Sequence, residues 1–261
     1  MATPESDGFV RSFARGLRVI EAMGHSGPHT VASVAVATGL PRTVVRRIAL
    51  TLCELGYAAI TPDKGLRLTP KVLSLGMTYL TSLPFWGHAQ RVLETVCLQL
   101  RESCALAVLQ GHEVVYVLRI PSAKVMSPRL GMGSHLPIHA TSPGRVLLAH
   151  QSPAFRDAYF AQADLRALTP LTLTDRAALT QQLEAVQRTG HAWVAGEFDL
   201  QVCGLSVPIH DEHRHVVAAL SANLLVAEFD QARAEKEVLP ALSAAAQQLS
   251  GLAPSFLAPA V

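Results

Sequence analysis

Long apolar runs are missing from this chain. No stretch reaches the roughly 18 residues that a bilayer-spanning helix needs, so no membrane partner is expected, even though apolar residues make up 49% of the sequence. The segment from Met1 to Gly16 lacks an apolar stretch and a small-residue cleavage site, so it does not read as a secretory signal and the expected address is cytoplasmic. The four cysteines, Cys53, Cys97, Cys104 and Cys203, form no C-x-x-C pair. That spacing argues against a zinc ribbon and a disulfide framework, and leaves them as small buried hydrophobes. A glycine-rich nucleotide loop is absent, and no cofactor or metal is expected. Charged residues are few, at 16%, which with the apolar content argues against wholesale disorder. The 261 residues suffice for two compact domains.

What charge there is lies unevenly. Between Arg11 and Lys71 nine Lys/Arg face three acids, a surplus of six, whereas from residue 80 onward 13 basic residues meet 15 acidic ones. A basic quarter on a near-neutral body suggests that this quarter meets a polyanion. Its local pattern agrees. Phe13, Leu17, Ile20 and Met23 recur at three- and four-residue spacing, predicting a helix over 12–25. A turn at 25–29 and a Thr30 cap lead into a short second helix. Gly39 suits the left-handed end of that helix, and Pro41 the first turn of the next. The third helix, 41–55, turns Val44, Val45, Ile48, Leu52 and Leu55 inward and leaves Arg42, Thr43, Arg46 and Arg47 near its exposed N-terminal half. That is the layout of a recognition helix, whose first turns approach base edges while flanking cations neutralise phosphates. Short strands at 57–60 and 66–68 flank a tight hairpin with Lys64 near its tip, and Lys64 and Arg67 are the candidates for holding DNA backbone. A winged helix-turn-helix is expected at 9–69.

Residues 70–101 predict two helices separated near Pro84, the first apolar on more than one face and so a candidate linker and dimer contact. Beyond them strands are expected at 104–110, 114–120, 125–130, 191–195, 203–210 and 215–223. Helices are expected at 143–151, 153–162, 174–189 (capped by Thr174) and 228–250. Hairpins mixed with helices imply an α+β fold with a mostly antiparallel sheet over 102–250, and a loose tail at 251–261. The turn Thr141-Ser-Pro-Gly144 entering a helix offers backbone N–H groups and a positive dipole end to an anion. Ser142 adds a hydroxyl, Ser221 and Asn223 share one strand face, and Arg119 and Arg129 are candidate charge partners. Two rival chemistries are weaker. Ala140-Thr-Ser-Pro-Gly144 approaches the G-x-S-x-G elbow of serine hydrolases but lacks the first glycine. His210, His213 and His215 are spaced like metal ligands but fall at a hairpin turn.

Several phrases together resemble the IclR family of regulators: Phe9 to Ile20, Ala37-Thr-Gly-Leu40, Glu54-Leu-Gly-Tyr57, Leu68-Thr-Pro70, Gly144-Arg-Val-Leu-Leu-Ala149 and Ser206-Val-Pro208. The resemblance spans about residues 9–250. Leu80-Thr-Ser-Leu-Pro84 and Glu102-Ser-Cys104 look most like the subgroup serving aromatic-acid breakdown (protocatechuate, 4-hydroxybenzoate, β-ketoadipate). It implies a GAF-like effector domain, homodimers that pair into tetramers, promoter DNA as partner and a small organic acid as effector, with no catalysis. Carried over by position, the effector cup draws on Ser142, Pro143, Gly204, Ser221 and Asn223, with Gly144 and Cys203 beside them. Cys203 and Gly204 stand where the subgroup often has arginine and serine, and Pro143 where it has a smaller or more flexible residue. The competing reading is a small-molecule-binding or hydrolytic enzyme whose N-terminal helices serve assembly only.

Overall fold

The computed structural model describes residues 8–24, 29–82, 84–122, 124 and 130–257. It divides into two compact units, Met1–Ser82 and Leu83–Val261.

The first unit is three helices and a hairpin. Helix α1 (Arg11–Ala22), α2 (Val31–Thr38) and α3 (Arg42–Glu54) are followed by β1 (Ala58–Ile60), β2 (Leu66–Leu68) and α4 (Leu73–Thr81). Thr30 and Ser33 cap α2 reciprocally, each side-chain oxygen accepting from the other's backbone N–H at 3.1 and 2.8 Å. Gly39 ends α2 at φ 68, the left-handed region where a Cβ is disfavoured. Pro41 stands just before α3 as its N-cap. Val19, Met23, Val34, Val45, Leu52 and Leu66 close the core. Leu66 also donates its N–H to the His29 carbonyl at 2.6 Å, so the hairpin is tied to the strand-like residue that precedes α2.

The second unit is a six-stranded, wholly antiparallel sheet in the order β5-β4-β3-β8-β7-β6. Its strands are β3 (Ser103–Gln110), β4 (Glu113–Ile120), β5 (His135–Pro137), β6 (Ala192–Ala195), β7 (Val202–His210) and β8 (Val216–Leu225). Helices α5 (Pro84–Leu100), α6 (Ser142–Ala149), α7 (Pro153–Gln162), α8 (Arg176–Thr189), α9 (Gln231–Glu237) and α10 (Leu239–Leu249) surround it. Seven consecutive buried residues in β3 show that both sheet faces are covered. Ala105, Ala107 and Leu109 meet Val146 and Leu147 of α6 and Leu183 and Val186 of α8 in one core. On the opposite side α5 and α10 pack together against the sheet. The fold class is therefore α+β, as the pattern implied.

Several boundaries moved for physical reasons. The stretch 228–250 is two helices, because Pro240 supplies no N–H to the residue four back and α9 ends at Glu237. Asp175, not Thr174, caps α8, its Oδ1 accepting from Ala178 N at 2.8 Å. Residues 125–129 of the expected strand, Arg129 among them, lie outside the described residues. The edge strand beside β4 is β5, three residues that include Pro137 and too short to show alternation. The chain past 250 is packed as far as it is described: Gly251 N–H bonds the His210 carbonyl at 2.9 Å, and Ala253 and Leu257 are buried. The 70–101 helices divide between the units, α4 in the first and α5, with Trp86, Ala89 and Leu93 buried, in the second. Among the described residues no helix is long and apolar enough to cross a membrane.

Candidate nucleic-acid interface and effector site

On α3, at 100° per residue, Val45, Ala49 and Leu52 make the buried side. Arg42, Thr43, Arg46 and Leu50 fall together on an adjacent, exposed side. Arg47 is a further turn of about 100° away from Arg46, and lines a groove of about 610 Å³ against α1 with Phe13, Leu17 and Leu55. Two adjacent arginines thus serve different surfaces. The wing is held by short-range bonds: Thr61 Oγ1 donates to Asp63 Oδ1, and this bond holds the Asp63 carboxyl below its ordinary range. Lys64 sits at φ 63 on the turn, exposed, with Arg67 exposed on β2. Gly65 is required there, since a Cβ would come 2.7 Å from Thr61 Oγ1. At the other end Lys71 Nζ donates to the Leu55 carbonyl at 2.8 Å and lies over the Tyr57 ring. That basic residue closes the end of α3 and is not left for DNA.

In the second unit strand register assembles the cup. Arg119, Ala105, Ser221 and Ser206 stand in one row across β4, β3, β8 and β7. Ser103, Asn223 and Gly204 form the next row across β3, β8 and β7. Residues paired across a row project on one face, here the face toward α6, because Ser206 Oγ and Ser142 Oγ are 2.8 Å apart. Thr141 precedes α6 without capping it; its hydroxyl donates to the Pro137 carbonyl at 2.8 Å. Among the described residues no side-chain acceptor meets the first-turn N–H groups of α6, which are those of Ser142 and Gly144 since Pro143 has none. Against this end lies a cavity of about 40 Å³ walled by Tyr116, Ser142, Pro143, Glu197, Phe198 and Asn223, among others. Tyr116 Oη donates weakly, at 3.5 Å, to Asn223 Oδ1, while Asn223 Nδ2 is buried with no partner among the described residues. Burial pushes the Tyr116 hydroxyl up, so it stays a neutral donor.

One buried ion pair fixes the far wall. Arg145 of α6 donates to Glu197 Oε2 at 2.6 Å and, through Nε, to the His139 carbonyl at 3.0 Å. Leu173 N–H reaches the same Oε2 at 2.8 Å, and Thr172 Oγ1 holds the Glu197 carbonyl at 2.6 Å. His139, buried beside this pair, is held below its ordinary value by desolvation and by the Arg145 charge, against the Arg166 carbonyl that its Nε2 bonds at 3.1 Å.

Comparison with known proteins now gives these two surfaces a common context. A model of the IclR helix-turn-helix domain matches residues 12–60, and one of the bacterial transcriptional regulator IclR C-terminal domain matches 77–251. The chain belongs to the IclR family. It is 36% identical to the Pca regulon regulatory protein of Pseudomonas putida, over 92% of this chain and 83% of that one. It is 31% identical to the p-hydroxybenzoate hydroxylase transcriptional activator of Acinetobacter baylyi, covering 95% and 93%. The structure of an IclR homolog from Microbacterium hydrocarbonoxydans complexed with 4-hydroxybenzoate superposes with a TM-score of 0.79 at 27% identity, covering 92% of this chain and 97% of that one. Like these IclR-family relatives, the chain is a DNA-binding transcriptional regulator and not an enzyme.

The IclR cup is assembled only in part from the residues that sequence singled out. Ser142, Pro143, Cys203, Gly204 and Asn223 line the cavity, whereas Arg119, Gly144 and Ser221 do not. Ser221 is fully buried on the same face, and its Oγ and the buried Arg119 Nε have no partner among the described residues. Arg129 falls outside the described residues. Gly144 has a packing role: a Cβ there would strike the Ile138 carbonyl and lie 2.6 Å from its Cα. Gly204 admits Ser142, whose Oγ would be 2.5 Å from any Cβ at that position. The Ser142 hydroxyl is not free as sequence suggested but shared with Ser206. Two hydroxyls bring two protons and their mutual bond uses one, so a single proton is left to donate. Cys203 offers a neutral thiol, since burial pushes it up to about 12. Glu197, Tyr116 and Phe198 were missed, and nothing in the run Gly196-Glu-Phe-Asp-Leu-Gln201 sets Glu197 apart from Asp199 beside it.

Proposed function

We propose that this IclR-family regulator controls genes of aromatic-acid catabolism, binding promoter DNA as a homodimer, which can pair into a tetramer, and sensing a hydroxylated aromatic acid in the cup. The supporting observation is the pairing of an uncapped α6 N-terminus with unpartnered buried donors, Asn223 Nδ2 above all, around one apolar cavity. Such donors suit a carboxylate, and the related M. hydrocarbonoxydans protein was crystallised with 4-hydroxybenzoate. The cavity of about 40 Å³ is several times smaller than the roughly 150 Å³ that accepts benzene. Ligand entry therefore moves a wall, and Phe198, 37% exposed on the loop between β6 and β7, is the side chain with room to swing outward. Of the DNA-facing residues, Thr43 and Arg46 meet bases, Arg42 flanks them at the phosphate, and Lys64 and Arg67 hold further phosphates. Dimerisation draws on α1 and α4, where Phe13, Leu17, Leu73, Leu75 and Met77 are exposed, more apolar surface than a lone head accounts for. The work is cytoplasmic, where the DNA is. The coupling runs through α4 and α5, which are consecutive in the chain, and requires the acid to bind one arrangement of the heads better than another.

The test is a salt-titrated shift of the purified protein on the DNA upstream of its own gene, with and without 4-hydroxybenzoate and protocatechuate. Binding that is tighter than to random DNA, falls with salt and changes with one acid supports the reading. Equal binding to both DNAs under every condition overturns it.

A further inference from the structure

The proposed aromatic-acid cup has an acceptor pole as well as a donor pole. Glu197 is buried to 9% exposure and walls the cavity. Its Oε2 takes both bonds, from Arg145 and from Leu173 N–H, and its backbone carbonyl takes the threonine hydroxyl. Its Oε1 takes none among the described residues. A carboxylate is acceptor-only, and this one is locked in orientation by its other oxygen. Asn223 Nδ2 and the spare proton of the Ser142–Ser206 pair are donors belonging to the opposite class. The two poles differ in sign. A ligand carboxylate finds no proton at Oε1 and is received by the donors, while a group facing Oε1 must carry a proton to give.

We infer that Glu197 is the specificity-determining residue of the cup, accepting through Oε1 a hydrogen bond from a ring hydroxyl and so selecting hydroxylated acids over unsubstituted or capped ones. The inference rests on the aromatic-acid reading above and adds to it the orientation of the ligand and the residue that reads its hydroxyl. A hydrogen bond to a charged acceptor is worth about 1.5–3 kcal/mol, which is on the order of 10- to 150-fold in affinity. A larger ratio follows if a ligand lacking the donor strands Glu197 in an apolar wall.

The decisive experiment keeps the full-length wild-type protein and varies the probe. Calorimetric affinities are measured for 4-hydroxybenzoate, 4-aminobenzoate, 4-methoxybenzoate and benzoate. The hydroxy and amino acids, which can donate, are expected to bind at least about tenfold tighter than the methoxy and unsubstituted ones. Equal binding of all four overturns the acceptor pole and leaves the aromatic-acid reading standing. Binding of none overturns both. The second arm is Glu197→Gln, whose amide can donate as well as accept. There the hydroxy-to-methoxy ratio is expected to shrink to within about threefold as the amide meets the methoxy oxygen. A folded variant that keeps the wild-type ratio assigns the selectivity elsewhere and sinks the role of Glu197. A purely structural Glu197 would lower all four affinities together and leave their ratios untouched. If that variant does not fold, the wild-type series still decides whether an acceptor faces the ring.

Discussion

Removing Lys64 from the wing should change how DNA binding depends on salt, and removing Arg46 should change what the protein reads. Each head exposes Arg42, Lys64 and Arg67 around a recognition face that carries Arg46. If those three cations each neutralise one phosphate, a dimer makes six such contacts. At about −0.9 per contact the slope of log K against log salt is roughly −5, or about a thousandfold loss between 50 and 200 mM. Lys64→Ala removes two contacts from the dimer, so the slope should fall to about −3.6 with base preference unchanged. Arg46→Ala should leave the slope alone and cost about 1–3 kcal/mol on the one base pair it reads. Arg47→Ala tests the division of the two arginines: its place in the α1 groove leaves sequence preference intact. Fluorescence anisotropy on the operator and its single-base variants, at five salt concentrations, measures all three. An unchanged slope for Lys64→Ala, or a uniform loss over every operator variant for Arg46→Ala, refutes the assignment of wing to backbone and helix face to bases.

Three further outcomes test the effector unit. Gly144→Ala forces a Cβ onto backbone atoms of Ile138, which cannot rotate away; a destabilisation of at least about 1–3 kcal/mol is expected in urea melts, and a neutral result would mean α6 tolerates displacement. Glu197→Ala strands Arg145, whose side chain is only 4% exposed, and a loss of about 3–5 kcal/mol is expected; restoration by pairing it with Arg145→Met would confirm the stranded charge as the cause. Stability should also decline in mild acid. His139 and His210 are both held below the ordinary histidine value of 6.5, chiefly by burial. Each is neutral in the fold and takes up a proton more readily when unfolded, so its stabilising contribution is complete above pH 6.5 and is lost as pH falls through the lowered folded value. Urea midpoints that do not drop between pH 7.5 and 5.5, or that drop equally in His139→Gln, count against this.

The DNA-binding head was legible because its determinants are local. Gly39, Pro41 and the stripe through Val45 and Leu52 each speak for their own turn, although Leu55, expected inward, is exposed and Ala49 takes a buried place instead, and the wing needs only a short hairpin. Arg46 and Arg47 could not be separated that way. Both are exposed and lie off the apolar stripe, and only the position of α1 decides that Arg47 lines its groove. The sheet strands were legible by the same argument wherever a hairpin joined them. β5 was not, because its three residues gain their structure from pairing with β4 and not from any alternation of their own.

The cup shows where local reasoning stops. Its polar side chains come from β4, β7, β8, α6 and the loop after β6, and nothing in their spacing announces that they meet. Ser142 looked like a free hydroxyl because Ser206 is 64 residues away and its partnership depends on register: Ser206 lies opposite Ser221, in the row beside Gly204. Gly204 is itself part of that arrangement, since any side chain there would push Ser142 off its partner. Glu197 follows from the same geometry. Arg145, three residues on from Ser142 in α6, reaches Oε2, so the helix that brings the serine to β7 also fixes the orientation of the acid proposed to read the ligand.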